Sequence, residues 1–199
     1  MAKRLLDFVA SAFGLLLLAP LFAVMAIWIR LDSPGPVFFR QERVGRDGVV
    51  FRIHKFRTMR AAPGAADAAI TVGADPRITR AGAFLRRTKL DELAQLIDVL
   101  RGDMSLVGPR PEVPQYVASY PPDVRAKVLS VRPGITDPAS LQFRNESELL
   151  AHAADPEREY REVVLPAKLR LAVEYVDHAT LAGDLRLIGL TLRALIGSR

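Results

Sequence analysis

The feature that most constrains this chain is an apolar segment near its start. From Phe8 to Ile29, a run of 22 residues, only Ser11, Gly14 and Pro20 interrupt the hydrophobic character. As a helix this segment would be about 33 Å long, enough to cross the hydrocarbon core of a bilayer. The run is too long for a cleaved secretory signal, and no small-residue cleavage site ends it. A single membrane-spanning helix is therefore the simplest prediction.

A re-entrant helix, which enters and leaves the membrane on the same face, is the alternative. Pro20 lies near the middle of the segment, where its ring removes a backbone donor and kinks a helix. Basic residues flank both ends, with Lys3 and Arg4 before the segment and Arg30 after it. A spanning helix is expected to carry an asymmetric charge instead. The residues alone leave both topologies open.

The composition suits one folded domain attached to this segment. With 50% hydrophobic and 25% charged residues, a chain of 199 residues can bury a core. It has no cysteine, which excludes disulfides and thiolate metal ligands. The net charge of +6 arises entirely in residues 1–60, beside the apolar segment. That placement favours anionic membrane lipid over nucleic acid as a partner.

Two short strands are predicted beyond the membrane segment. Residues 33–36, Ser-Pro-Gly-Pro, form a helix stop. Residues 37–39 and 49–53 are apolar enough for strands, and the Gly-Arg-Asp-Gly sequence at 45–48 predicts a turn between them. Residues 61–74 are rich in small side chains, which is typical of a mobile loop. We find no linker that would divide the chain into two domains.

Cations alternate with apolar residues immediately after the second strand, at residues 54–60. On a strand, this period would place Lys55 and Arg57 on one face. A solvated sheet edge and an anion-binding face are both compatible with the pattern. His54 has no second histidine or cysteine nearby, so we interpret it as an ordinary, partly buried residue.

The pair Asp91-Glu92 is the strongest chemical signal. Apolar residues at helical spacing predict an amphipathic helix over residues 89–101, with Thr88 as its N-cap and Gly102 after its end. Acidic residues in a first turn are favoured by the helix dipole, so the pair could have a purely structural role.

The cations around this pair favour a catalytic role. Arg86, Arg87 and Lys89 precede it, and rigid Pro109-Arg110-Pro111 follows the helix; Arg132 and Arg144 lie further on. The planar fork of arginine suits phosphate oxygens, and free helix amides add to an anion site. A carboxylate in this setting could act as a nucleophile or hold Mg²⁺. The pattern is therefore typical of phosphoryl transfer.

Two amphipathic helices are predicted in the last third of the chain. Residues 157–177 carry an apolar stripe that should pack on the core. Residues 181–196 carry a second stripe, formed by Leu181, Leu185, Ile188, Leu192 and Leu195. This second helix could either pack on the core or lie in the membrane interface.

Several long motifs resemble the bacterial sugar transferases, specifically the small membrane-embedded polyprenyl-phosphate phosphoglycosyl transferases. They are Lys3-Arg4 with Asp7, SPGPVFFRQ at 33–41, KFRTM at 55–59, Arg87-Thr88 with LDEL at 90–93, GDMSLVGPRP at 102–111 and RPGIT at 132–136. The similarity covers nearly the whole chain. It implies an α/β fold, rich in helix with a small sheet or hairpin. Residues 1–32 would form a re-entrant membrane helix bent at Pro20, and residues 33–199 a cytoplasmic catalytic domain with interfacial helices.

The resemblance also implies a two-step reaction at the cytoplasmic face of the bacterial inner membrane. Asp91 would attack the β-phosphate of a UDP-sugar and release UMP, leaving a covalent aspartyl-phosphosugar. Polyprenyl phosphate, here undecaprenyl phosphate, would then accept the sugar-phosphate and initiate assembly of a polysaccharide or glycoprotein glycan. Mg²⁺, held by Asp91, would offset charge on the diphosphate. Glu92 would activate the acceptor phosphate or shape the metal site.

The same resemblance implies a set of phosphate-binding cations: Lys55, Arg57, Arg87, Arg110, Arg132 and Arg144. The chain departs from the family pattern at Ala19, where serine is common, and at Lys89 and Ala94 around the acidic pair. After Thr136 it continues Asp137-Pro138, where many members have glycine. The sugar, the glycoconjugate pathway and the formation of a homo-oligomer are left open by the sequence.

Overall fold

The computed structural model describes residues 1–60 and 75–196, so the loop predicted over residues 61–74 lies outside the described residues. The helices are α1 Ala2–Asp32, α2 Arg80–Thr88, α3 Leu96–Arg101, α4 Pro114–Val117, α5 Pro122–Val128, α6 Pro138–Gln142, α7 Glu146–Ala151, α8 Pro156–Glu159, α9 Leu165–His178 and α10 Leu181–Ile196. The strands are β1 Phe38–Val44, β2 Val50–Phe56, β3 Ser105–Val107 and β4 Gly134–Thr136. The described part of the chain is thus rich in helix with a small amount of sheet, as predicted.

Helix α1 is long and apolar enough to cross a membrane, with a mean hydropathy of 2.4 in its most apolar window. The chain is helical on both sides of Pro20, and the helix ends at Asp32 before the predicted stop. Many of its large side chains are exposed, including Leu16 and Leu31. Such a continuous apolar surface is typical of contact with lipid.

The first half of α1 packs against the folded domain. Asp7 is buried, and its carboxylate accepts from the Leu106 amide at 3.0 Å and from the Ser105 hydroxyl at 2.9 Å. Arg4 donates to the Val99 carbonyl at 2.6 Å, at the end of α3. A Cβ added to Gly14 would lie 3.3 Å from a Leu96 methyl group, so the contact continues along the helix.

The second half of α1 packs against the same domain. Met25 and Ile29 are buried in one cluster with Phe56 of β2 and Leu85 of α2. At the end of the helix, the Asp32 carboxylate accepts from the amide of Ala81 at 2.8 Å. Both ends of α1 are therefore fixed to one folded unit.

The two predicted strands form the antiparallel hairpin β1–β2, whose register runs from Phe38 opposite Phe56 to Val44 opposite Val50. Each strand is longer than the apolar residues alone indicated. The turn falls at residues 45–48 as predicted, where Asp47 and Gly48 adopt positive φ values of 57° and 79°. β3 and β4 form a separate parallel pair that sequence reasoning did not predict.

The helix predicted over residues 89–101 is wrong in its first half. Thr88 is the last residue of α2, and its hydroxyl donates back to the carbonyls of Phe84 and Leu85 instead of capping a new helix. Lys89 then adopts a left-handed conformation (φ 57°) that ends α2. A 3-10 helix follows at Leu90–Gln95 and continues into α3, which ends at Gly102 as predicted. The acidic pair thus lies in a tight 3-10 turn.

The C-terminal third forms two long helices, as predicted, but they differ in burial. Residues 156–178 are helical throughout, with a π-helical segment at Tyr160–Val164, and Leu165 and Leu169 pack in the core. In α10 the stripe residues Leu185 and Leu192 are more than half exposed. Core packing of the stripe is therefore wrong for Leu181, Leu185 and Leu192, whereas Ile188 and Leu195 are half-buried. The buried carboxylate of Asp184, which pairs with Lys3 at 2.5 Å, anchors the helix to the domain.

Candidate active site

The site centres on Glu92, whose carboxylate joins two cations from different elements. Lys55 of β2 donates to Glu92 Oε1 at 2.9 Å. The Arg110 guanidinium donates to both oxygens of Glu92, at 3.1 Å for Oε2 and at close range for Oε1. This fork-like pairing is the strong geometry of arginine with carboxylate or phosphate. Glu92 therefore fixes two cations, one of which, Lys55, also acts on the charge of Asp91.

The turn that carries Arg110 is held on both sides. The carbonyl of Pro111 accepts from the Arg43 guanidinium at 3.0 Å, and the carbonyl of Glu112 accepts from the Val44 amide at 3.0 Å. On the other side, the Gly134 amide donates to the carbonyl of Pro109 at 3.0 Å. The carbonyl groups on both sides of Arg110 are therefore held by hydrogen bonds.

Close packing of two glycines completes this support. A Cβ on Gly134 would lie 2.1 Å from the Gly108 amide nitrogen, and one on Gly108 would lie 2.4 Å from the Arg132 carbonyl. No side chain fits in either place, so the backbones of the RPGIT and GPRP motifs are in direct contact.

Asp91 has different surroundings. It is buried, and its Oδ1 accepts no hydrogen bond from the residues that the structure describes. Burial raises the pKa of Asp91, and the negative charge of Glu92 adds to the effect, although Lys55, Arg86 and Lys89 oppose it. A buried carboxylate oxygen without a partner is costly for folding, and its persistence is a common sign of a functional site. Asp91 Oδ1 therefore has no hydrogen bond to the described residues that would have to break before it reacts.

The charges of Glu92 and its partners are mutually stabilised. Burial alone would raise the pKa of Glu92, but Arg110 and Lys55 together hold it well below its usual value. Burial lowers the pKa of the Lys55 ammonium group, and Glu92 opposes that shift. The pKa of Arg110 is raised, chiefly by Glu92. Glu92 is thus held as an anion while its neighbour Asp91 is pushed toward the neutral form.

Of the six predicted phosphate-binding residues, the structure brings Lys55 and Arg110 to the acidic pair. The guanidinium of Arg87 lies 6.0 Å from the ring centre of Phe84, and that of Arg132 donates to the Gly102 carbonyl at 2.7 Å. Arg144 lies half-buried between α6 and α7.

Arg57 binds backbone carbonyls at the end of α1 and does not contact the acidic pair in the described structure. It follows β2 rather than belonging to it, so the expectation that it shares a strand face with Lys55 is wrong. Its guanidinium donates to the carbonyls of Pro34 at 2.6 Å and Ser33 at 2.7 Å, at the end of α1. Arginine commonly binds the unpaired carbonyls at a helix C-terminus.

Three cations near the site were not among the predicted ones. Arg86 and Lys89 oppose the rise in the pKa of Asp91, and their position just before the pair was the sequence signal already noted for them, although they were not placed among the six phosphate-binding residues. Arg43 has no such signal, because it acts through the backbone of the Arg110 turn. His54 is buried, and its Nδ1 lies 2.5 Å from Asp98 Oδ1.

The residues of the pair fit a Mg²⁺ ion that is shared with substrate. Among the described residues there is no group of three acidic or histidine side chains that could hold a metal alone. Mg²⁺ is commonly bound by one or two carboxylates together with substrate phosphates. Glu92 is occupied by its two cations, whereas the Asp91 carboxylate has an oxygen that bonds to none of the residues in the described ranges. Asp91 is therefore the better candidate ligand.

The long apolar helix, fixed to a domain that carries a paired carboxylate-cation site, fits a membrane-associated protein. The model of the bacterial sugar transferase family matches residues 1–198. The chain belongs to the bacterial sugar transferase family.

Relatives with named activities are similar over much of the chain. A UDP-glucose:undecaprenyl-phosphate glucose-1-phosphate transferase of Caulobacter vibrioides is 36% identical over 98% of this chain and 69% of its own length. An Escherichia coli protein of the same name is 36% identical over 96% of this chain and 39% of its own.

A third relative is named for a different sugar. It is the UDP-N-acetylgalactosamine-undecaprenyl-phosphate N-acetylgalactosaminephosphotransferase of Aeromonas hydrophila, 41% identical over 67% of this chain and 32% of its own length. The chain therefore spans less than half of two of these three relatives.

Proposed function

We propose that this chain is a phosphoglycosyl transferase that moves a sugar-1-phosphate from a UDP-sugar to undecaprenyl phosphate. The names of the relatives support the donor and acceptor classes. The observation that carries the proposal is the buried Oδ1 of Asp91, which accepts no hydrogen bond from the described residues, next to a carboxylate that holds Lys55 and Arg110. This arrangement suits a nucleophile, because the attacking oxygen needs to break no hydrogen bond to the described residues before it reaches the substrate phosphorus.

In the first step, Asp91 Oδ1 attacks the β-phosphorus of the UDP-sugar. A new P–O bond forms to the carboxylate, the bond between the β-phosphorus and the bridging oxygen breaks, and UMP leaves with that oxygen. Lys55 and Arg110 would neutralise charge on the phosphoryl oxygens as the bond breaks. The product on the protein is an acyl phosphate that carries the sugar.

In the second step, a phosphate oxygen of undecaprenyl phosphate attacks the same phosphorus. The bond to Asp91 breaks, the carboxylate is restored, and the product is a polyprenyl-diphosphate sugar. The raised pKa of Asp91 makes this carboxylate a poorer leaving group than an ordinary aspartate but a better nucleophile in the first step. Initiation of glycan assembly is the role that this product implies.

Glu92 is proposed to hold the cations in place. Both of its oxygens are engaged by Lys55 or Arg110, so it is not free to take a proton from the acceptor without releasing one of them. This favours a structural and electrostatic role over general-base catalysis. The carboxylate oxygen of Asp91 that does not attack would hold Mg²⁺ together with substrate phosphates, and the ion would supply further charge neutralisation when bound.

The contacts of α1 support a placement of the domain on one membrane face. Arg4 and Asp7 bond to α3 and β3, while Ile29 and Asp32 pack against β2 and α2. A helix perpendicular to a bilayer would separate its ends by about 30 Å of hydrocarbon, with the domain on one side. Contacts at both ends with the same domain favour a re-entrant or interfacial helix. We propose the cytoplasmic face of the inner membrane, where UDP-sugars are found.

The exposed leucines of α10 support the same placement. Leu181, Leu185, Leu190 and Leu192 are between 42% and 55% exposed. Buried Asp184 and the Thr191 hydroxyl, which lies 2.8 Å from that of Thr136, fix one side of the helix to the domain. The exposed leucines flank this fixed side, and Arg186 and Arg193 are exposed with them, a combination that suits a helix in the bilayer interface.

The direct test is UMP release by the detergent-purified protein, with undecaprenyl phosphate, Mg²⁺ and a panel of UDP-sugars. We expect release with one donor or a small set of donors, and none from Asp91→Asn. Asp123→Asn, an exposed aspartate on α5, is the matched control and should behave as wild type. Release by Asp91→Asn at the wild-type rate would exclude Asp91 as the nucleophile.

A further inference from the structure

Asp137 connects the Arg110 turn to helix α6. It is 1% exposed, and both of its carboxylate oxygens are engaged. Oδ1 accepts from the Ser140 amide at 2.6 Å, which caps the start of α6. Oδ2 accepts from the backbone amide of Arg110 at 3.2 Å. One side chain therefore fixes a helix start and the residue that holds Glu92.

The position of the Arg110 guanidinium depends on this backbone. Neighbouring bonds hold the carbonyls of Pro109 and Pro111, whereas Asp137 acts on the amide of Arg110 itself. The guanidinium reaches Glu92 through a long side chain, so a small rotation of the peptide would move it by a larger distance. Small misplacements of a binding group can cost large factors in rate.

We propose that Asp137 is a positioning residue for the phosphate-binding Arg110, an inference that rests on the function proposed above. It acts through the backbone of Arg110 and does not contact substrate. Removal of its second oxygen should leave α6 capped but allow the Arg110 turn to shift. Turnover should fall through Arg110 rather than through loss of the fold.

The chain contains a matched control for the capping role. Asp155 also precedes a proline and caps a helix, accepting from the amide of Arg158 three residues later at 3.1 Å. Asp155 is exposed, and its bond to the Arg158 amide lies within the first turn of its own helix. A serine at either position keeps a capping oxygen. Only at position 137 does the change also remove an acceptor for the amide of Arg110.

The experiment measures kcat/KM for UMP release in Asp137→Ser, Asp155→Ser, Arg110→Lys and the double variant Asp137→Ser with Arg110→Lys. Because a lost bond to a charged acceptor is worth about tenfold or more, we expect Asp137→Ser to lower kcat/KM by about that factor. Asp155→Ser should be unchanged. In the Arg110→Lys background, Asp137→Ser should have an effect of less than about threefold, since neighbouring residues that act as a unit are not additive.

Asp137→Asn provides a second variant if the serine variant folds poorly. Asparagine keeps the size of the side chain and one capping oxygen, but its amide group cannot accept from Arg110. Asp137→Asn should lower kcat/KM by a similar factor, and its effect should also become small in the Arg110→Lys background. Equal losses in both Arg110 backgrounds, or a wild-type rate for both Asp137 variants, would overturn the positioning role while the proposed function stood. A wild-type protein that releases no UMP with any donor would instead overturn the proposed function and this inference with it.

Discussion

Asp91 and Glu92 are consecutive residues with opposite electrostatic surroundings. Glu92 binds Lys55 and Arg110 with both oxygens, whereas Asp91 Oδ1 is buried and accepts no hydrogen bond from the described residues. The pKa of Glu92 is held well below its usual value, and that of Asp91 is raised by burial and by Glu92. Two carboxylates whose pKa values are driven apart commonly divide the tasks of a catalytic site.

Asp91→Asn should make the protein more stable while it abolishes UMP release. The substitution removes a buried charge that has an oxygen without a hydrogen bond to the described residues, so we expect the free energy of unfolding to rise by about 1–2 kcal/mol at neutral pH. Since the pKa of Asp91 is raised, this gain should shrink as the pH falls through that pKa toward the ordinary value of 3.8. Chemical denaturation of both proteins across pH measures it. A less stable variant at neutral pH would contradict this account.

Glu92→Gln should have the opposite effect on stability. It leaves Lys55 and Arg110 without their anion, and we expect a loss of about 2 kcal/mol at neutral pH. The contribution of Glu92 is present above its ordinary pKa of 4.5 and is lost as the pH falls through the lowered value. Glu162→Gln, in an exposed pair with Arg158, is the control and should cost less than about 0.5 kcal/mol. Equal effects from the two variants would disprove the role assigned to Glu92.

The rate of UMP release should have a bell-shaped dependence on pH. The nucleophile is the ionised form of Asp91, so the acid limb should lie above the ordinary aspartate value of 3.8. The alkaline limb should follow loss of the proton from Lys55, whose pKa is lowered from 10.5. Lys55→Arg keeps the charge but does not titrate in this range, so it should flatten the alkaline limb. An unchanged alkaline limb in that variant would assign it to another group.

Arg57→Ala should reduce stability but leave substrate affinity unchanged. Its guanidinium donates to carbonyls at the end of α1, so its loss should cost about 2 kcal/mol. KM for the UDP-sugar should stay within about twofold of wild type, since neither bond involves the acidic pair. Arg52→Ala removes an exposed guanidinium and serves as the control. A large rise in KM with unchanged stability would instead support a phosphate-binding role for Arg57.

The absence of cysteine makes the topology of α1 directly measurable. Single cysteines at Ala2, Leu16 and exposed Asp123 can each be labelled in intact and in permeabilised cells with a membrane-impermeant maleimide. We expect the cysteines at positions 2 and 123 to react only after permeabilisation, and the one at position 16 to be protected by lipid in both. Labelling of position 2 in intact cells would show a spanning helix and contradict the placement proposed for the domain.

Structural features that depend on neighbouring residues were predicted well. The apolar run from residue 8 to residue 29, the stop at residues 33–36 and the hairpin turn at residues 45–48 each depend on neighbouring residues, and all three are confirmed. The acidic pair was also found from local context. Its helix was misjudged, because Thr88 as an N-cap and Thr88 as the last residue of a preceding helix produce the same sequence pattern.

Contacts between distant residues could not be predicted. Arg57 and Lys55 are two positions apart, yet one bonds to α1 and the other to Glu92, a difference fixed by the end of β2 at Phe56. The hydrogen bond from Arg110 to Asp137 spans 27 positions. Its donor is a backbone amide, so the residue type at position 110 does not reveal it. For α1, Pro20 and the basic residues at both ends indicated that the two ends could lie on one membrane face, but not which residues of the domain each end would contact.

The most direct test of the central claim is the intact mass of the protein after incubation with its UDP-sugar and Mg²⁺ in the absence of undecaprenyl phosphate. We predict an added mass equal to one sugar-phosphate less water, which disappears when undecaprenyl phosphate is supplied and is absent in Asp91→Asn. Peptide mapping should place it on Asp91. UMP release by wild type with no mass added to the protein at any time would contradict a covalent intermediate and favour direct transfer between the two substrates.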